Sequence, residues 1–367
     1  MLRRDWAVPF ATLLAVVGLS VSGSPARTAP ASSEWAQPSS IEWSIERNGS
    51  DLAQNKVQFA IESRWGVGNR SMWSNDRSLT DFQGLSAAQV SGPSGPVRFA
   101  IARDAGRLDC SGVAGNLTGR GACTFTVNPG FTAYLQQRGI GAPTPQEAFA
   151  MTMSGVGRDL IDSMQSIGYA RPTSSQLASM AIHGVSADFV RGLARSGYRL
   201  QSADDLVKFK IHGVDLDYIS QLAAIGPKLR HLPADDLVSM RIHGVTPDYV
   251  RQIAAIGPQF ANLTAENLVS FRIHGARPEM VRAYAAFTRG TLNADDVVSM
   301  AIHGVTAEYL NELASLGYRN LSAEELVSLR IHGVSADYVR RLKQNGMTQL
   351  SADQLVRLRN AGFEPRG

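Results

Sequence analysis

The chain is poor in the residues that usually announce chemistry. Its 367 residues include two cysteines, Cys110 and Cys123, and no H-E-x-x-H sequence. No cysteine pair stands near the histidines to complete a zinc site. There is no G-x-S-x-G nucleophile elbow and no phosphate-binding loop. Only an enzyme whose ligands lie scattered over the fold would escape these patterns. Charge of one sign is scarce as well: the formal net charge is +4. So small an excess gives nucleic acid no general attraction and leaves only a local basic patch as a route to it. What is present is ordinary for a folded protein. Hydrophobic residues make up 44% and charged residues 19%, which argues against wholesale disorder and, at this length, for two domains.

The N-terminus reads as a targeting segment. Arg3 and Arg4 precede Ala7 to Val21, apolar apart from Thr12 and Ser20. That run fits a signal-peptide core and falls short of the roughly 20 apolar residues of a membrane span. Cleavage after Ala26 or Ala31 is expected, with an uncleaved inner-membrane anchor as the alternative. Either leads to an exported, periplasmic or extracellular protein. We therefore divide the chain into a signal peptide at 1–31, a flexible linker at 32–40, a β domain at 41–135, a short linker at 136–143 and helical repeats at 144–367.

Alternation of apolar and polar residues marks strands in Lys56 to Arg64 and Val97 to Arg103. Asp104-Ala105-Gly106 reads as a hairpin turn before Arg107 to Val113. Gly115, Gly119 and Gly121 lack the strand-to-helix context of a phosphate loop and read as turn glycines before Ala122 to Val127. Cys110 and Cys123 then sit on neighbouring strands. A disulfide is allowed in an exported protein, two buried thiols being the other reading. Trp43, Trp65 and Trp73 read as core residues rather than a ligand groove.

The most informative feature is a motif repeated six times: A-I-H-G-V at 181, K-I-H-G-V at 210, R-I-H-G-V at 241, R-I-H-G-A at 272, A-I-H-G-V at 301 and R-I-H-G-V at 330. Its histidines are His183, His212, His243, His274, His303 and His332, spaced 29, 31, 31, 29 and 29 residues apart. Such a period signals stacked repeats. Degenerate copies ending at Val156 and Phe363 look like end caps. Each unit reads as two short helices. The first starts at a capping residue such as Thr173 or Ser202, with Gln176 or Asp205 three places on to complete a capping box. It ends at Gly184, Gly213, Gly244, Gly275, Gly304 or Gly333, since glycine closes a helix cheaply in the left-handed conformation. The second starts at Ser186, Asp215, Thr246, Thr306 or Ser335. An acid follows in its first turn, where it favours the helix dipole. Val207 and Ile211, four apart, suggest one apolar stripe. The expected fold class is α+β and multidomain: a small antiparallel β domain followed by an α-solenoid of helix-pair repeats of about 29–31 residues.

The histidine row is the obvious candidate for chemistry. Each imidazole should lie at a helix C-terminus, where it can bond free carbonyls. Equivalent positions on stacked helices are about 8–10 Å apart, so at most two could share one metal ion. We assign the row a structural role, with weak metal binding and a pH-sensitive ladder as the alternatives, and expect no cofactor.

Helix, Gly-Val turn and helix also suggest the helix-hairpin-helix of nucleic-acid-binding proteins. That module uses a second glycine to hold phosphate, whereas an acid stands nearby here, so nucleic acid is not expected. The remaining classes are a glycan or small-molecule site on the β domain and a scaffold for a protein partner. I-H-G-V-[ST]-[AP]-[DE]-[YF], L-x-x-x-G-Y and L-S-A-[DE]-[DE]-L-V resemble repeats of bacterial exported proteins. Similar repeats occur in the extracytoplasmic tails of beta-lactam-sensor-type membrane metallopeptidases. F-A-I-A-R-D-A-G-R-L-D-C-S-G resembles a β segment that accompanies them. The resemblance spans about residues 41 to 363. The multiple membrane spans and the zinc motif of those peptidases are missing, so it implies a cell-envelope sensing or assembly partner and no peptidase activity. The expectation is a non-catalytic scaffold for a protein partner, with no membrane span after signal cleavage.

Overall fold

The computed structural model describes residues 37–46, 55–65 and 69–365. The expected signal peptide and most of the 32–40 linker lie outside the described residues. Six strands, β1 (Ser40–Glu46), β2 (Lys56–Trp65), β3 (Asn69–Ser78), β4 (Gly95–Ala102), β5 (Gly106–Gly115) and β6 (Thr118–Val127), form one antiparallel sheet in the order β3-β2-β1-β6-β5-β4. β1 and β3 are not evident in the sequence pattern. β1 nevertheless lies mid-sheet, pairing with both β2 and β6. Alternate residues face inward, so Trp43, Phe59, Trp65 and Phe99 are buried.

Two of the presumed turn glycines have another role. Only Asn116 and Leu117 form the β5–β6 turn, both with positive φ. Gly119 and Gly121 lie within β6, and the Trp43 indole occupies the space their side chains would fill. A Cβ on Gly121 would sit 2.1 Å from the Ser111 carbonyl oxygen and 2.7 Å from Nε1 of Trp43. The indole donates to that same carbonyl at 3.2 Å. Cys110 and Cys123 are directly paired across β5 and β6, with Cα atoms 4.0 Å apart, and form a disulfide.

The helices stack in two layers. Among the described residues the first-helix layer comprises Pro145–Ser154, Ser174–Ile182, Ala203–Ile211, Ala234–Ile242, Ala265–Ile273, Ala294–Ile302, Ala323–Ile331 and Ala352–Asn360. The second layer comprises Arg158–Ile167, Ala187–Arg195, Leu216–Ile225, Pro247–Ala254, Pro278–Phe287, Ala307–Ser315 and Ala336–Gln344. Helices this short are marginal alone, and one continuous apolar core runs between the layers. The two 31-residue spacings arise between layers: Pro227–Leu229 and Pro258–Phe260 form single 3-10 turns that bury Leu229 and Phe260. The extra residues thus leave the I-H-G corners in step.

The boundary between sheet and repeats differs from the division at 135. Helix Pro129–Gln137 spans it, and its Phe131 and Leu135 belong to the repeat core. The first helix of the array, in turn, packs Ala148, Phe149 and Met153 into the sheet core. Phe149 meets Trp65 and Phe125 edge to face, with ring centroids 5.5 and 5.4 Å apart. Asp104, in the β4–β5 turn, accepts from the Arg158 backbone N–H at 2.8 Å. It thereby caps the one second helix that starts at a glycine, Gly157, with no side chain of its own to do so.

Candidate interaction surface

Each first helix ends the same way. At the third corner the Gly213 backbone has φ +68° and the Val214 N–H bonds back to the Phe209 carbonyl at 2.8 Å, the six-residue closure of a Schellman motif. Gly184, Gly244, Gly275, Gly304 and Gly333 take the same left-handed conformation. The second helix then begins on a side-chain cap, Asp215 accepting from the Tyr218 N–H at 2.7 Å.

The six histidines occupy the C-cap positions of these helices. Their backbone, not their rings, serves the helix ends. The carbonyls of His212, His243 and His303 accept from Nε of Arg241, Arg272 and Arg330 in the following unit, at 3.3, 3.4 and 3.4 Å. Among the described residues no hydrogen bond reaches an imidazole of the row, so the expected bond from ring to free carbonyl is not made. Nor do three or more His, Cys, Asp or Glu residues gather as a metal-binding group among the described residues.

The residue before each histidine is the unexpected one. Ile182, Ile211, Ile242, Ile273, Ile302 and Ile331 are 54–58% exposed, although isoleucine is among the residue types most often buried. The apolar stripe of Val207 and Ile211 is therefore divided: Val207 is buried and Ile211 faces solvent. Residue Phe209, two places earlier, is the core residue, as are Met180, Met240, Phe271, Met300 and Leu329 at equivalent positions. The strict recurrence of isoleucine within the motif was the available signal.

Charge is ordered around this row. Toward the start of five of the six helices that carry the row stand exposed Asp204, Asp235, Glu266, Asp295 and Glu324, seven residues before their isoleucine and so on the same helix face. Beyond the isoleucines lie the histidines and Lys210, Arg241, Arg272 and Arg330. The opposite, open face of the sheet has two depressions lined by mixed charges, including Arg98, Arg107 and Asp109 in one and Glu42, Glu46 and Arg120 in the other. Among the described residues no helix is long and apolar enough to cross a membrane. No protein-family model and no curated protein matches the chain.

Proposed function

We propose that the protein is an exported, non-catalytic scaffold that holds a protein partner on the first-helix layer of its repeats, in the cell envelope. The observation that carries this reading is the row of six exposed isoleucines at equivalent positions. Exposed apolar surface gathered into a line on an otherwise polar face marks an interaction site rather than the normal scatter of surface hydrophobics. Solenoids bind partners along such repeated surfaces. Two further features support it. The N–H groups of Phe189, Tyr218, Tyr249, Tyr309 and Tyr338, which a phosphate would need at the corners, are taken by the caps. The disulfide suits an oxidising compartment.

The test replaces Ile211, Ile242 and Ile273 by serine in the full chain. Cell-envelope extracts are then compared for proteins held by the native and altered forms. A partner held only by the native form supports the scaffold. Should the altered form retain every partner, while substitution of Arg98, Arg107 and Arg120 releases them, binding belongs to the open sheet face instead.

A further inference from the structure

The isoleucine row continues an interface that the chain itself already uses. In the first unit the position of Ile182 is taken by Met153, and the position four residues earlier, Ala178, by Phe149. Both are buried in the sheet core, where Phe149 meets the rings of Trp65 and Phe125. The sheet thus covers the first rung of a ladder whose next six rungs are open. At those rungs isoleucine is paired with Val207, Val238, Val269, Val298 or Val327, or with Ala178 in the second unit. Ala178, Val207 and Val238 are buried and Val269, Val298 and Val327 half-buried, so the isoleucine is the apolar group that a partner would meet at each rung.

The corner beside the first rung also differs from most of the others. At most corners the following unit lays a cation near the closing glycine, as Arg241 does at Gly213 and Arg272 at Gly244. The first corner has none, because the following unit supplies Ala181, as Ala301 does at Gly275. There the sheet contributes Arg77, buried, whose guanidinium donates to the Met153 carbonyl. The sheet therefore fits a rung with a bare corner by bringing aromatic rings and a cation. Rungs at Ile182, Ile211, Ile242 and Ile302 are followed by Lys210, Arg241, Arg272 and Arg330 and call for the opposite charge, whereas Arg359, after Ile331, is already paired with Glu364.

Resting on the scaffold reading, we infer that the ladder takes an extended protein segment that carries an aromatic side chain at each rung and carboxylates along the edge over the His–Arg corners. Rungs on stacked helices are about 8–10 Å apart. A polyproline II segment repeats every three residues, about 9.3 Å, and so matches the rungs with one aromatic per turn. Its next residue falls on a constant edge, which is where the carboxylates belong.

The probe is a synthetic peptide of five copies of Trp-Glu-Pro, titrated into the full chain with its isoleucine methyl groups labelled for NMR. Saturable binding that shifts the methyl signals of Ile211, Ile242 and Ile273 is expected. It should weaken by about tenfold or more in the I211S/I242S/I273S variant, as for central apolar anchors. Peptides with Lys for Glu, or Ser for Trp, should bind about tenfold more weakly. Equal binding by either overturns the assigned chemistry, and so does a lack of methyl shifts. A dimer of the free protein that the I211S/I242S/I273S substitutions dissociate would show that a second copy covers the ladder, and overturns it too. If the peptides fail but the serine variant still loses its partner from cell-envelope extract, the scaffold stands and only this segment chemistry falls.

Discussion

The guanidinium of Arg241 lies over the ring of Tyr218, 4.6 Å from its centroid, although the two residues belong to successive repeats. The Tyr218 hydroxyl donates to the Val245 carbonyl in that next repeat at 2.8 Å. The same pairing joins Tyr249 to Arg272, Tyr309 to Arg330 and Tyr338 to Arg359, and Lys210 covers Phe189. Where the ring is missing, so is the cation: Leu160 is followed by Ala181 and Met280 by Ala301. At the Met280 joint Tyr284, one turn later, makes the hydroxyl bond to Val305 instead, at 2.7 Å. Joint by joint, the cation tracks the ring it covers.

Removing the Tyr218 hydroxyl with Tyr218→Phe strands a buried carbonyl and should cost about 1–2 kcal/mol. Arg241→Ala should cost about 0.5–1 kcal/mol through the lost cation–π contact. Arg241 also serves the His212 carbonyl, so the two sites share one joint. Denaturant unfolding of both single variants and the double variant should give a non-zero coupling energy. Strict additivity would show that ring and cation are neighbours without interaction.

These joints also make the array sensitive to alkali. Burial raises the phenols of Tyr284 and Tyr309 to about 12, with Arg330 partly opposing the shift at Tyr309. An unfolded tyrosine ionises near about 10. A folded pKa above the unfolded one gives stability that is complete below about pH 10 and is lost as the pH rises toward about 12. Helical circular dichroism should therefore hold to about pH 10 and fall above it. Tyr309→Phe should move that fall upward, and an unchanged midpoint would refute the link.

Much of this was legible in the chain. Capping boxes, closing glycines and the 29- and 31-residue spacings locate every first helix, because each rests on local backbone chemistry. Strand β1 was not legible: Trp43 is placed by glycines at 112, 119 and 121, far along the chain. The outward turn of Ile211 was hidden for a similar reason. Its helix alternates apolar residues at 206, 207, 209 and 211, and only the stacking of neighbouring units decides which faces the core. The docking of Met153 under the sheet needs both domains to be seen together.

Met240 and Ile242 should separate stability from binding. Met240 is fully buried and Ile242 is 56% exposed, two residues apart in one helix. Met240→Ala should cost about 2–5 kcal/mol by opening a cavity. Ile242→Ser should stay within about 0.5 kcal/mol, as for surface positions. Thermal melts of the two variants check this. A comparable loss from Ile242→Ser would mean that the row supports the fold, and the interaction surface would lose its foundation.

The disulfide gives a way to ask how far the sheet supports the array. Cys110 and Cys123 close a loop with a sequence separation of 13, for which chain entropy gives about 3 kcal/mol. Replacing both by serine should weaken the sheet by about that amount. The loss should then pass to the first unit, because Phe149 and Met153 lie in the sheet core and Asp104 caps the helix starting at Arg158. In a stack where each unit contacts only its neighbours, the effect should fade with distance. Hydrogen exchange should quicken at Leu160 and Ile161, change less at Leu206 and remain unaltered at Leu355. Uniform quickening along the whole array would instead show one cooperative unit, with the sheet as its cornerstone.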